Sequence, residues 1–337
     1  MRYADAGVDR SRAAQARERI GRLVRSTWPE GAGPFGGFSG ALPFPGDPER
    51  LLTSTLDGVG TKIKLAVALG RHRGIGEDLV NHCIDDTLAH GATPLFFLDY
   101  FAAARLDPAV LAEVLEGAAA ACRAEGVAIL GGETAELPGL YTEPDYDFAG
   151  CMVGWVRRDQ WIDGAGVRAG DVVLGLPSSG LHTNGYSLAR RALLHEAGAR
   201  LDQPVPGAQV ELGEALLAPH RSYAPAMRAL GALRPRAIAH ITGGGFTENI
   251  PRVIPDGLGV ELAPWPLPPL FEWIQKAAGV PDDEMRRVFN LGYGFALVFE
   301  ARRAEEAFEL LDRAGEHPRR LGRVAPGAGV RFAAVAG

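Results

Sequence analysis

The stretch Leu79 to Phe101, LVNHCIDDTLAHGATPLFFLDYF, constrains what this chain can fold into more than any other part of it. Leu79, Val80, Cys83, Ile84, Thr87 and Leu88 recur at helical spacing, which predicts an amphipathic helix running up to Gly91. Gly91 stands where a helix end needs positive φ, and Pro94 prevents the helix from resuming. Leu95 to Phe101 then reads as an apolar, aromatic-rich buried strand. Asp86 shares the stripe of Cys83 and Leu79 at the edge of the apolar face. A carboxylate placed there needs a partner, because burying an unpaired charge is very costly. Asp85 beside it adds a second negative charge. Two solvated acids at a helix end oppose the helix dipole, so a cation held at this end is the sharper reading.

The chain has 337 residues, enough for two domains with cores of their own. A formal charge of −6 leaves no basic surface for nucleic acid, and an anionic ligand would need local cation sites. Cys83, Cys122 and Cys151 lie far apart in apolar segments, which predicts reduced thiols and a cytoplasmic protein. The N-terminal segment is too charged for a signal peptide, and no apolar run approaches the ~20 residues of a membrane span. Lysine occurs only at Lys62, Lys64 and Lys276. Two of these fall in one short loop, where a compact ammonium can serve an anion better than a planar fork.

In chain order, residues 11–26 read as a short Arg-rich helix, and Gly31 to Gly40 as a glycine segment that is either a linker or a lid closing over phosphates. Leu51 to Leu56 is a strand ending in DGVGTKIK, where Asp57, Gly58, Gly60, Thr61 and Lys62 combine an acid, close backbone approach, a hydroxyl and a cation. The Walker spacing is absent. A helix from Leu106 to Arg123 and a strand from Gly126 to Leu130 lead into GGETAELPG, which leaves Glu133 and Glu136 at a strand end. Asp57, Asp86 and Glu133 thus each sit beside a glycine-bearing element end, a pattern suited to Mg²⁺ bridging phosphates. Phe148 to Val156 closes the first half. The turn Asp163 to Gly170 marks a boundary, giving domains 1–166 and 167–337.

The second half opens with a strand, Asp171 to Leu176, followed by SSGLHTNGYSL, whose Ser179 could satisfy an anion and whose Asn184 stands near a helix N-terminus. After the strand Ala237 to Ile241, Gly243, Gly244 and Gly245 fit an anion nest flanked by His240 and Thr242, with a helix from Thr247. Helices Leu270 to Ala277, Asp282 to Phe289 and Ala304 to Ala314 alternate with strands Phe295 to Phe299, Arg320 to Val324 and Gly329 to Val335. That order suggests an α+β domain. Both halves place glycine loops at strand ends, as if around a shared cleft.

Taken together these segments resemble the phosphoribosylformylglycinamidine cyclo-ligase (aminoimidazole ribonucleotide synthetase) family over nearly the whole chain. The resemblance rests on YADAGVD at 3–9, PFGGFSGALP at 34–43, DGVGTKIK at 57–64, GATPLFFLDY at 91–100 and GGETAELPG at 131–139. It continues through DYDFAG at 145–150, SSGLHTNGYSL at 178–188, LLAPHRSY at 216–223, HITGGGFTENIPRV at 240–253 and FNLGYG at 289–294. Asp85, Thr55-Leu56 and Thr183 depart from the residues usual there: Asn, Gly-Thr and Ser. The resemblance implies two α/β domains, a homodimer whose N-terminal strands pair into a barrel, and no nucleic-acid or membrane partner. It implies ATP-dependent ring closure of formylglycinamidine ribonucleotide, through phosphorylation of the formyl amide oxygen, with ATP and Mg²⁺, and K⁺ as a further candidate ion. Carried onto this sequence, metal binding falls to Asp57, Asp86 and Glu133, and ATP to Lys62, Gly58, Gly60, Thr61 and Asp86 with the Gly36 to Gly40 loop, including Gly37, as lid. Substrate binding falls to Ser179, Asn184, Thr242 and Gly243 to Gly245, and proton transfer to His182 and His240, with Lys62 neutralising the transferring phosphoryl group. The rival readings are a kinase of the same superfamily and a nucleotide-binding protein without catalysis.

Overall fold

The computed structural model describes residues 1–7 and 19–333. It forms two mixed α/β halves, each built on one sheet. The part of the expected 11–26 helix before residue 19 lies outside the described residues; residues 19–25 form a helix, α1.

The first half contains strands β1 (Gly40–Phe44), β2 (Asp47–Gly58), β3 (Thr93–Ala103), β4 (Ala128–Glu136) and β5 (Tyr146–Arg157), ordered β1-β2-β5-β3-β4. Among the described residues of this sheet, only β3 and β4 pair in parallel. Five strands therefore stand where four were expected, because β1 folds back on β2 as a hairpin despite its glycine and proline. Helices α2 (Ile63–Leu69), α3 (Arg73–Leu88) and α4 (Pro108–Glu125) belong to this half. The inner face of β5 carries Tyr146, Phe148, Met152 and Val156, all buried. Gly150 and Gly154 alternate with them, and a Cβ at Gly154 would stand 2.9 Å from Thr87 Cγ2 of α3. The missing side chain at Gly154 lets α3 lie close on the sheet, while the space at Gly150 is taken by the Phe97 ring. On its other side α3 meets α4 through Gly76 and Gly117, where an added Cβ would come within 1.9 Å of a carbonyl oxygen of the opposite helix. Bulk at either position is excluded by backbone.

That enclosure changes the character of α3. A one-sided amphipathic helix was expected, but Asp78, His82, Asp85 and Asp86 are buried along with Leu79, Val80, Cys83 and Ile84. The apolar residues face the sheet and α4. The acids and His82, spaced at i, i+4, i+7 and i+8, form a second stripe that is covered by the other half of the chain.

The second half carries β6 (Val172–Pro177), β7 (Ala237–His240), β8 (Leu258–Leu262), β9 (Tyr293–Phe299), β10 (Arg319–Pro326) and β11 (Gly329–Phe332), ordered β11-β8-β10-β6-β9-β7. β9 lies between β6 and the edge strand β7 and is buried on both faces, as its run GFALVF requires. Around this sheet lie α5 (Tyr186–Arg190, continuing as a π-helix to Glu196), α6 (Leu212–Leu217), α7 (Ala224–Leu230), α8 (Gly245–Asn249), α9 (Pro269–Ala278), α10 (Asp282–Val288) and α11 (Ala301–Arg313). Among the described residues no helix is long and apolar enough to cross a membrane.

Candidate active site

The buried polar stripe of α3 is where the two halves meet, and a cavity of about 270 Å³ opens beside its end. Thr55 and Asp57 of β2, His82 and Asp86 of α3, Gly243 and Arg252 contribute to its wall. β2 delivers Thr55 and Asp57 to the same face because they are two residues apart on one strand. α3 delivers His82 and Asp86 because they are one turn apart.

His82 organises the acids. Its Nε2 lies 2.9 Å from Asp57 Oδ2 and 3.8 Å from Asp86 Oδ2, while Nδ1 lies 2.7 Å from Thr183 Oγ1. Burial opposes a charge on this ring, but Asp57, Asp86 and Asp85 overcome it and hold the imidazolium to about 9. For Asp57, burial pushes the carboxyl up; the charge and hydrogen bond of His82 outweigh this and leave it below its ordinary value. A cation therefore already stands between the two carboxylates. The carboxylates are also oriented by other donors: the Gly58 amide donates to Asp57 Oδ1 at 2.8 Å and Thr55 Oγ1 donates to Asp86 Oδ2 at 3.1 Å.

Behind this wall is a layer of histidines. His240 Nδ1 is 2.8 Å from Asp86 Oδ1, and His240 Nε2 is 3.1 Å from His220 Nε2. His220 stacks on His182, ring centroids 4.0 Å apart. Burial pushes all three rings below the ordinary histidine value, so they are neutral. His182 holds φ +63, and Gly294 makes room for it, since a Cβ there would lie 2.5 Å from His182 Cε1 and 2.2 Å from Tyr223 Oη. The FNLGYG loop thus serves as the bed of SSGLHTNG, with Asn290 Nδ2 donating to Gly180 O.

Several expected site residues take other places. Lys62 is fully buried, with its ammonium donating to Asp78 Oδ1 at 2.8 Å, Ala218 O at 2.8 Å and His182 O at 3.2 Å. All three donors are committed, so Lys62 ties the halves together rather than presenting a charge to phosphates. Burial pulls Lys62 down and Asp78 up, the pairing opposing both shifts. Glu133 sits on the exposed outer strand β4, bonded to its neighbour's amide, Thr134 N. Three strand spacings separate β2 from β4, about 14 Å, so the chain does not bring Glu133 to Asp57. Ser179 Oγ donates to Pro219 O, and Thr61 Oγ1 meets Ser187 Oγ at 3.1 Å. Asn184, Thr242, Gly243 and Gly37 do line the cavity, whereas His182 and His240 lie behind its wall. Gly243 is dictated by Asn184, whose Oδ1 would be 2.7 Å from a Cβ. Gly245 is dictated by packing, with Arg286 O 2.1 Å from its Cβ position, and Gly244 is the left-handed residue that opens α8. Of the glycine lid, Gly36 is open, while Phe38 N donates to His90 Nε2 and Ser39 Oγ to Asp86 O. Thr55, His82, His220 and Arg252 were not expected at the site, although His220 lies in LLAPHRSY and Arg252 in HITGGGFTENIPRV.

Comparison with known proteins agrees with this architecture. Residues 40–156 match the family model of the AIR synthase related protein N-terminal domain, and residues 168–334 match that of its C-terminal domain. A phosphoribosylformylglycinamidine cyclo-ligase of Gloeobacter violaceus is 47% identical, covering 99% of this chain and all of its own. One from Bifidobacterium animalis is 44% identical, covering 96% of each chain. The chain belongs to the phosphoribosylformylglycinamidine cyclo-ligase family. Solved structures share the fold at lower identity. A thiamine-monophosphate kinase of Stenotrophomonas maltophilia aligns with a TM-score of 0.62 at 19% identity, covering 94% of each chain. A hydrogenase maturation protein HypE in complex with ATP aligns with a TM-score of 0.58 at 20% identity, covering 82% of this chain and 77% of its own. In this cyclo-ligase chain the cavity at the junction of the halves is the candidate active site.

Two outcomes follow from the buried charges. Lys62→Met leaves Asp78 buried without its charged partner and is expected to destabilise the fold by about 3–5 kcal/mol in urea unfolding; unchanged stability with weakened ATP binding would restore Lys62 to the phosphates. The raised His82 value makes a stability contribution that is complete below the ordinary 6.5 and is lost as pH rises through about 9. Unfolding free energy should therefore decline over that interval, and His82→Gln should flatten the decline; an identical pH profile in the variant would contradict the assignment.

Proposed function

We propose that the cavity binds formylglycinamidine ribonucleotide and ATP and closes the imidazole ring, releasing aminoimidazole ribonucleotide, ADP and phosphate. The observation that carries this reading is the pairing of Asp57 and Asp86 about one cationic position at the junction of the two halves. An amide oxygen is a poor leaving group. Its attack on the γ-phosphorus breaks the bond to ADP and turns the carbon's oxygen into a phosphate ester. The amidine nitrogen then attacks that carbon, the C–O bond breaks with phosphate leaving, and the nitrogen loses a proton.

The donor set fits Mg²⁺, which takes one or two carboxylates beside phosphate oxygens and water. Asp57 and Asp86 would hold it, both already oriented by hydrogen bonds. Bound there, it would neutralise charge on the transferring phosphoryl group. Glu133 is not part of this set. Arg252 and the His82 imidazolium bring positive charge to the wall, and Asn184, Thr242 and Gly243 offer polar groups to the substrate. Of the histidines, His82 reaches the cavity, so it is the group placed to exchange a proton there, with His182 and His240 acting through their neighbours.

A homodimer accords with the outer face of the first sheet. Leu56 is 72% exposed and Leu130 66%, and one edge of β4 is unpaired among the described residues. A second copy laid against this face would cover both the apolar side chains and the edge.

Mg·ATP and formylglycinamidine ribonucleotide supplied together should yield ADP and aminoimidazole ribonucleotide in equal amounts. ADP without the imidazole would point to another acceptor. Asp57→Asn should abolish turnover while leaving the protein folded, and normal activity in that variant would remove the metal assignment.

A further inference from the structure

The segment Ala218 to Tyr223 belongs to the second half of the chain, yet the first half holds its backbone. Lys62 Nζ donates to Ala218 O, the His220 amide donates to Asp78 Oδ1 at 2.7 Å, Asn81 Nδ2 donates to His220 O at 2.7 Å, and the Tyr223 amide donates to Asp85 Oδ1 at 2.8 Å. Asp78, Asn81 and Asp85 are spaced by three and four residues, so one stripe of α3 grips the whole segment. The grip places the His220 ring, which is 1% exposed, between His182 and His240.

The hydrogen bonds then constrain the protons. His240 Nδ1 is 2.8 Å from Asp86 Oδ1, and a carboxylate only accepts, so Nδ1 carries the proton. With that one proton on the ring, Nε2 carries a lone pair. The atom facing it at 3.1 Å is His220 Nε2, and two lone pairs cannot face each other there, so His220 must donate. Asp85 Oδ2 lies 3.3 Å from the same nitrogen and has no hydrogen-bond partner among the described residues. Nothing in the sequence motifs assigns His220 a role.

We propose that His220 is a positioning residue for the ring-closing site. Its Nε2–H fixes the tautomer and ring plane of His240, which keeps Nδ1–H on Asp86 and holds that carboxylate in the orientation the metal–ATP complex needs. This rests on the proposed function in one respect: it takes Asp86 as a ligand of that complex. An apolar residue in place of His220 frees His240 to flip or to exchange tautomers, and Asp86 then loses its fixed donor.

The test compares His220→Gln, whose amide nitrogen can reach the place of Nε2, with His220→Leu, which supplies no donor. Both are made in the full chain, with circular dichroism and thermal melting to establish folding. His220→Leu should lower kcat or raise the Mg²⁺ concentration needed for half-maximal rate by about 10–100-fold, with KM for formylglycinamidine ribonucleotide little changed. His220→Gln should recover most of the loss. In ¹⁵N-histidine NMR of the protein without substrate, His240 should show a single Nδ1–H tautomer in the wild type and in His220→Gln, and a mixture in His220→Leu. Wild-type kinetics in a folded His220→Leu would overturn the proposal, as would equal impairment of the two variants or an unchanged His240 tautomer. The NMR readout needs no turnover, so it decides the matter even if ring closure itself is not found.

Discussion

Everything in this structure that bears on chemistry depends on the burial of one polar helix stripe. Asp78, His82, Asp85 and Asp86 sit on a helix that is otherwise packed into the first sheet and α4. Removing such groups from water is unfavourable unless each finds a partner, and here nearly every partner lies on another element. Lys62 meets Asp78, the amides of His220 and Tyr223 meet Asp78 and Asp85, and His240 meets Asp86. Satisfying these bonds at once leaves little freedom in how the two halves sit. The site at their junction is a consequence of that geometry.

Glycines constrain the same geometry from the opposite direction. At Gly76 and Gly117 they let α3 approach α4, and at Gly154 they let it approach the sheet. At Gly243 and Gly294 they let Asn184 and His182 come within van der Waals distance of backbone. The first group sets where the helix lies, and the second sets how the loops of the other half reach it. Together they explain why the glycine-rich loops gather at strand ends around one cavity: a side chain at those points would occupy the space that the opposing residue needs.

Much of this was legible in the sequence. The end of α3, the break at Gly91 and the strand that follows were read from periodicity, and acids beside glycines pointed to Asp57 and Asp86, which line one cavity; the burial expected of that strand is only partial, since Leu95 and Leu98 are exposed. The second stripe of α3 was harder to read because polar residues at helical spacing normally mark a solvent face, and only the covering half of the chain makes them interior. Lys62 was misread for a related reason: its rarity signalled importance, but nothing local distinguishes a lysine that binds phosphate from one that joins two halves. His82 lies in no quoted motif, and LLAPHRSY, which contains His220, does not by itself give that residue a role. A usable signal did exist, since 78, 81, 82, 85 and 86 are all capable of hydrogen bonding, a density unusual on a helix that is also apolar on its other side. β1 and β8 were missed because glycine and proline interrupt their strand patterns, and at Gly259 of β8 the Gly329 carbonyl lies 2.7 Å from where a Cβ would stand.

The most direct test of this account is native-state hydrogen exchange on the intact chain. If the polar stripe of α3 binds the segment 218–223, the amides of His220 and Tyr223 should exchange with the same opening free energy as the core amides of α3, and should lose protection with them at the same denaturant concentration. Exchange of the His220 and Tyr223 amides far faster than α3, under conditions where α3 stays closed, would show that the segment opens on its own and would contradict the claim that this stripe joins the two halves.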